Sequence, residues 1–311
     1  MSPTDDIRLG LDLGGTKIEA AILSGSGEIL ARERVAMPAG DYAAALATTS
    51  DLVREVETQA GARAPGAGVG TPGTLSARTG LLRNAYSTPM NDAPLDVDLA
   101  RVLDRPVRLE NDANCFALAE ARSGAGQGMH SVFGVILGTG VGGGVVIGGA
   151  PVRGRNGIGS EWGHNRLPAL SVEELDAPRC DCGRSGCIEA WCCGPGLIRD
   201  HFHRTGSEMD PEMIAAFADA GDFEATESLD LHAGRLARGL AMVVNLVDPD
   251  VIVLGGGLSK MQHLYRVLPD LIRPHVFADA FATPVVENTL GDSAGVIGAA
   301  WLCPQRSEEA E

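Results

Sequence analysis

Twice in this chain an apolar, β-type run enters a glycine-rich turn and leaves it as another β-type run. Ile7 to Leu13 is followed by Gly14-Gly15-Thr16 and then Ile18 to Leu23. Val132 to Leu137 is followed by Gly138 to Gly144 and then Val145 to Ile147. Short runs of β-branched and aliphatic residues bounded by glycine read as strands, so each segment predicts a strand, a glycine turn and a strand. The recurrence predicts an internally duplicated α/β chain in which one turn from each lobe grips the phosphates of a nucleotide. The length agrees: 311 residues are too many for one ordinary core and suit two lobes of roughly 100 to 200 residues each. Two lobes imply a cleft.

Around these turns the pattern continues. Ser24 to Gly27 marks a further turn and Ile29 to Val35 a third strand, so the chain opens as an antiparallel meander. Asp41 begins a helix whose Leu46, Thr49, Val53 and Val56 keep near-helical spacing, and Gly61 stands where a C-terminal cap belongs. Later, Leu236, Leu240, Val243 or Val244, and Val247 form a helical stripe that stops at Asp248-Pro249-Asp250. The strand Val251 to Leu254 follows, then Gly255, Gly256 and Gly257, a triplet suited to approaching a ligand. The acidic tail Ser307 to Glu311 is expected to fray.

Charge and composition remove several classes of function. A formal net charge of −16 opposes a nucleic-acid partner, which needs clustered Lys and Arg to neutralise phosphates; a neutral substrate such as a sugar fits better. With 44% hydrophobic and 21% charged residues the chain has the profile of a globular enzyme. Its apolar stretches are too short to span a bilayer, and Met1 to Asp6 is acidic where a signal peptide is basic. These features predict a cytoplasmic protein without a membrane partner.

Three segments carry chemistry. Asp12-Leu13-Gly14-Gly15-Thr16-Lys17 sets an acid at a strand end before two bare glycines, a hydroxyl and a cation. Such a turn either holds MgATP, its backbone N–H groups facing phosphate and Asp12 facing Mg²⁺, or is a plain hairpin. Gly138-Thr139-Gly140-Val141-Gly142-Gly143 satisfies the dinucleotide spacing but runs into the β-branched Val145-Val146-Ile147 rather than a helix, so a phosphate-contacting hairpin is preferred. Glu110-Asn111-Asp112-Ala113-Asn114 follows the strand-like Val107-Arg108-Leu109. Phosphoryl transfer asks for a carboxylate to take the hydroxyl proton, and Asp112 can supply it; alternatively Asp112 and Asn114 cap a helix beginning near Cys115.

Seven cysteines are an odd number, and Cys180, Cys182 and Cys187 fall within eight residues. That spacing reads as metal binding rather than a disulfide framework. With His164 they make a complete tetrahedral zinc set, closed and therefore structural. The expected work of the zinc is to pin a loop so that Glu161 and Glu189 project toward one substrate. His164 either ligates the metal, touches sugar through its second nitrogen, or is a satisfied core histidine. Cys115, Cys192, Cys193 and Cys303 are expected to be buried thiols.

Taken together, these segments resemble the ROK family of sugar kinases and sugar-responsive repressors. The likeness runs from Leu11 to Trp301 through Asp12 to Lys17, Gly70-Thr71-Pro72-Gly73, Asn111-Asp112-Ala113-Asn114, Leu137 to Gly144, Glu161-x-Gly163-His164, the zinc cysteines and Gly255-Gly256-Gly257. It implies the two-lobed actin-like ATPase fold of hexokinases (ribonuclease H-like), with a structural zinc loop. The lobes are expected at residues 1–114 plus 293–311, and at 115–292. By the resemblance Asp112 is the base, and Gly73, Asn111, Glu161, His164 and Glu189 contact sugar. Asp12, Gly14, Gly15, Thr16, Lys17, Gly138, Thr139, Gly140 and Gly255 to Gly257 serve ATP and Mg²⁺. His164, Cys180, Cys182 and Cys187 hold Zn²⁺. The implied partners are a hexose, phosphorylated at its 6-hydroxyl, and a second copy of the chain.

Within the family, Asn84-Ala85-Tyr86-Ser87-Thr88, Glu161 to Pro168, Thr283-Pro284-Val285 and Gly291 to Val296 look most like the fructokinase and mannokinase branch. N-acetylglucosamine kinases and glucokinases are the alternatives, and Tyr86 departs from the Asn of the fructokinase-like pattern. A repressor of the same family needs a helix-turn-helix, and none is expected before Asp12.

Overall fold

β1 (Ile7–Leu13) and β2 (Lys17–Ser24) form the first expected hairpin, and β3 (Ile29–Ala36) extends it antiparallel. The computed structural model describes residues 7–85 and 88–303; Tyr86, Ser87, the acidic start and the tail fall outside them. The described chain divides into two compact units. The first comprises residues up to Gly124, Gly149–Gly159 and Leu290 onward; the second comprises Ala125–Gly148 and Ser160–Thr289.

In the first unit β4 (Ala67–Thr71) and β7 (Val107–Asn111) add parallel to β1, giving the order β3-β2-β1-β4-β7. Between them lie the two-residue strands β5 (Thr74–Leu75) and β6 (Leu82–Arg83), which pair with each other. β1 is covered on both faces, as parallel strands require. Leu9, Leu11 and Leu13 are buried in one core with Val53 and Val56 of α1 (Tyr42–Ala60) and Leu95 and Leu99 of α2 (Leu95–Leu103). Asp41 caps α1 by accepting from Ala44 N–H, and Gly61 ends it in the left-handed conformation, as the sequence predicts.

The opposite face of β1 is shaped by missing side chains. Gly10 lies beside Gly68 of β4 in the parallel register. A Cβ on Gly10 would meet Val296 O at 2.1 Å, and one on Gly68 would meet Ala299 O at 1.7 Å. The two glycines therefore form a trough for α9 (Ala294–Ala300), which also packs on α3 (Asp112–Ser123). The expected boundary after residue 114 lies later, because α3 stays with the first unit through these contacts. Residues 149–159 also return to it, opening with β10 (Ala150–Pro151), which touches α3.

In the second unit β8 (Ser131–Leu137) and β9 (Val141–Ile147) make an antiparallel hairpin, and β11 (Val251–Gly255) and β12 (Val285–Glu287) follow in parallel, in the order β9-β8-β11-β12. A hairpin beside a parallel strand thus occurs in both units. The turn is shorter than expected: β9 already begins at Val141, because Gly142, Gly143 and Gly144 pair with Ile136, Val135 and Gly134. α4 (Ile188–Cys192), α5 (Gly194–Thr205), α6 (Pro211–Asp219), the 25-residue α7 (Phe223–Val247) and α8 (Gln262–Ile272) pack around this sheet. The predicted stripe on α7 is real: Leu236, Leu240, Val243 and Val244 are buried. Among the described residues no helix is long and apolar enough to cross a membrane.

Candidate functional site

In the first unit the expected residues gather at the C-terminal ends of parallel strands, where open α/β sheets bind ligands. Asp12 lies near the end of β1, Thr71 ends β4 and Asn111 ends β7. Asp12 stands opposite Gly70, and Thr71 opposite Asn111. Gly73 has φ 83° and a Cβ there would meet Arg83 O at 2.1 Å, so only glycine fits. Asn111 Nδ2 donates to Gly73 O at 3.3 Å, joining two of the residues assigned to sugar.

The helix begins earlier than its expected start near Cys115. Asn111 is the N-cap, its Oδ1 accepting from Ala113 N–H at 2.9 Å, and Asp112 is the first helical residue. Asn114 does not cap; it is buried and donates to Glu110 Oε1 at 3.0 Å. This frees Asp112 from the capping alternative, although Ala113 N–H also lies 2.8 Å from its Oδ1. Burial raises the Asp112 pKa above the ordinary carboxylate range, outweighing that backbone donor. Asp12 is pushed up to about 7 by burial and then by the negative charge of Asp112, with Lys17 and Arg34 opposing. Two buried carboxyls, one of which raises the other, make an electronegative point, which suits a cation.

The raised Asp12 pKa has a sign that can be measured. A carboxyl raised in the folded state contributes stability that is full below its unfolded pKa, near 4, and is lost as pH rises through about 7. Without Mg²⁺ or nucleotide, Asp12→Asn should therefore gain thermal midpoint relative to the wild type as pH goes from 5 to 8. A constant difference across that range would show that Asp12 titrates normally.

The first glycine turn closes through Gly14 N–H to Lys17 O at 3.0 Å, with Thr16 exposed at its tip. Glu110, which opens the segment Glu110 to Asn114 but receives no role from the sequence, has one in the structure. It is buried and takes Arg153 Nε at 2.8 Å, while Arg153 also donates to Leu109 O and Thr74 Oγ1 donates to Gly157 O at 2.8 Å. Residues 153–157 are thereby fastened beside Asn111 and Gly73. Among the cysteines, Cys115, Cys192 and Cys193 are buried as expected, whereas Cys303 is half-buried.

In the second unit His164, Cys180, Cys182 and Cys187 place one donor atom each within 4.8 Å of one another. Cys182 and Cys187 Sγ lie 3.6 Å apart, and Cys180 Sγ is 3.5 Å from His164 Nδ1. A tetrahedral ion with Zn–S near 2.3 Å and Zn–N near 2.0–2.1 Å separates its ligands by roughly these distances, so the donor set fits zinc. Burial pushes the Cys182 thiol up, but hydrogen bonds from Arg184, Cys180 and Cys187 together pull it down to about 6, while burial and the Glu189 carboxylate raise Cys180. The hairpin carrying these ligands is held by Leu167 N–H to Gly186 O at 2.8 Å and Ile188 N–H to Asn165 O at 2.9 Å.

Two acids flank the set. Glu161 is exposed and follows Ser160, whose φ of 73° is a strained backbone conformation for a residue with a side chain. Glu189 sits with Oε1 at 3.7 Å from His164 Nδ1, and its Oε2 accepts from Val141 N–H at 3.1 Å. Glu189 thus also touches the second glycine turn, and a Cβ on Gly140 would come within 2.8 Å of it. Gly138 and Thr139 lie in that turn, Gly138 accepting from Gly194 N–H at 2.8 Å. Gly255 ends β11, and Gly256 has φ 82° with Leu137 O 2.4 Å from any added Cβ. Gly257 meets nothing, so within the triplet the close approach falls on Gly256.

Comparison with known proteins identifies the family and the fold. The ROK family model matches residues 8–306. N-acetyl-D-glucosamine kinase of Pectobacterium atrosepticum is 39% identical over 297 residues, covering 94% of this chain and 97% of that protein. A ROK hexokinase from Thermus thermophilus superimposes with TM-score 0.85 at 36% identity over 94% of this chain and 96% of that one. A ROK glucokinase from Streptomyces griseus, solved with glucose and AMPPNP, gives TM-score 0.77 at 30% identity over 96% and 99%. The α/β fold is the two-lobed actin-like ATPase fold expected from the motifs, and the chain belongs to the ROK family.

Proposed function

We propose that this protein is an ATP-dependent N-acetylglucosamine kinase that phosphorylates the sugar's 6-hydroxyl. That it is a carbohydrate kinase follows from its family and its kinase relatives; the choice of sugar is the proposal. The observation that carries it is the near full-length likeness to N-acetyl-D-glucosamine kinases from several bacteria, at 37–39% identity. This favours the alternative over the fructokinase and mannokinase reading. One of the four stretches that suggested fructose, Glu161 to Pro168, contains His164 of the Cys/His set and is shaped by that set as much as by sugar.

Asp112 takes the hydroxyl proton. The sugar oxygen forms its bond to the γ-phosphorus, the bond from that phosphorus to the β,γ-bridging oxygen breaks, and ADP leaves with the electron pair. The raised Asp112 pKa supports this role, because a base works best when its pKa approaches the working pH. Asn111, Gly73, Glu161, His164 and Glu189 orient the sugar; His164 keeps Nε2 for it while Nδ1 faces the thiols. Asp12 and the turn Gly14, Gly15, Thr16 and Lys17 hold the metal-bound phosphates, Gly138, Thr139 and Gly140 are assigned to phosphate as well, and Gly255 to Gly257 take the adenosine. Mg²⁺, when bound, offsets charge developing on the phosphates. Zinc held by His164, Cys180, Cys182 and Cys187 supplies shape rather than chemistry. The working form is proposed to be a cytoplasmic homodimer.

The test is an ADP-release assay ranked by kcat/KM over N-acetylglucosamine, N-acetylmannosamine, glucose, mannose and fructose. N-acetylglucosamine should lead by at least about tenfold, ~1.4 kcal/mol of transition-state discrimination. Fructose or glucose in first place would overturn the assignment.

A further inference from the structure

The segments carrying the sugar residues of the second unit are both anchored on one face of α7, by residues outside the motifs. Glu174 lies between His164 and Cys180 in sequence and is 5% exposed. Its Oε1 accepts from Arg235 Nε at 2.8 Å and Arg238 Nη2 at 2.7 Å. Its Oε2 accepts from Arg238 Nη1 at 2.9 Å and from Ser171 N–H at 3.0 Å. Arg238 Nη1 also donates to Pro168 O and Ala169 O, at 3.2 and 2.6 Å. Through Glu174, Ser171, Pro168 and Ala169 this clamp grips the stretch after His164.

The same face holds the other segment. Arg235 stacks on Trp191, 4.4 Å from the ring centroid, and pairs with Asp200 at 3.1 Å. Trp191 is on α4, two residues beyond Glu189. One helical turn along, a Cβ on Gly239 would meet Trp162 at 3.0 Å and Ile188 at 3.3 Å, the neighbours of Glu161 and Glu189. Trp162 is fixed in turn by its Nε1–H to Gly142 O at 3.0 Å and an edge contact with Phe133.

A buried carboxylate with two guanidiniums is often neutral for stability against an apolar replacement, yet it fixes geometry. We propose that Glu174 is a positioning residue for sugar binding, acting through Arg235 and Arg238 to set the spacing of His164 and Glu189. The inference rests on the reading that those two residues touch sugar.

Glu174→Gln keeps the shape and removes the charge. The expected result is a KM for N-acetylglucosamine raised about tenfold, with kcat and the KM for ATP within about twofold and zinc still one per chain. Glu174→Asp should recover part of the loss. Arg238→Lys, which keeps charge but gives up the fork, should raise the same KM to a smaller degree and serves if Glu174→Gln does not fold. An unchanged sugar KM in a folded variant, a fall in kcat alone, or loss of zinc would overturn the proposal. If the wild type prefers another sugar, the assignment of N-acetylglucosamine fails while the clamp is still read on that sugar. If it turns over no sugar, both fail.

Discussion

Asp112→Asn should yield a folded protein that binds sugar and nucleotide and turns over about 10²- to 10⁴-fold more slowly, the range expected when a positioned general base is lost. The amide can still accept from Ala113 N–H as Asp112 Oδ1 does, so the head of α3 keeps its geometry. Removing the charge also relieves Asp12, whose pKa Asp112 raises; the variant should be at least as thermostable as the wild type at pH 8. Sugar KM should barely move, because the loss falls on a group that acts only in the transition state. Turnover within about threefold of the wild type would remove Asp112 from the reaction.

Stripping zinc should produce the largest loss of stability. Around the four donors, Cys180, Cys187 and Ala190 make a small cluster apart from the main cores. Once the ion is gone, three thiols and an imidazole within 4.8 Å must share protons instead of metal. Structural zinc is worth about 10–16 kcal/mol in small zinc domains; even ~3 kcal/mol here would lower the thermal midpoint by about 5 °C. Protein purified without chelator should contain one zinc per chain. A strong chelator or Cys182→Ser should give that drop together with a raised sugar KM, since His164 belongs to the donor set and Glu189 follows Cys187 by two residues. A metal assay that finds no zinc, or a midpoint that ignores the chelator, would contradict the site.

The sequence made local features legible and left long-range ones hidden. Strand, turn and strand were readable at Gly14-Gly15 and again at Gly138, because glycine and β-branched residues act over a few positions. The zinc set was readable for the same reason: three of its ligands fall within eight residues. The start of β9 was misplaced because Gly142 to Gly144 look like turn residues; Gly143 is bare to admit Trp162, 2.5 Å from an added Cβ. α3 was started too late because the cap is Asn111, with Asp112 already helical. Glu174 and Arg235 stand 61 residues apart, and no local spacing announces their contact. Gly10 and Gly68 likewise look like weak points in strands until α9 lies on them. The sugar was the least legible feature, because its discrimination depends on side chains spread over separate segments, and Tyr86 lies outside the described residues.

The most direct test follows the phosphoryl group itself. Wild-type protein, γ-labelled ATP, Mg²⁺ and N-acetylglucosamine should give one labelled sugar 6-phosphate per ADP, with negligible ADP when the sugar is omitted. Label released as inorganic phosphate at the same rate with or without sugar would contradict the account, because the acceptor would then be water.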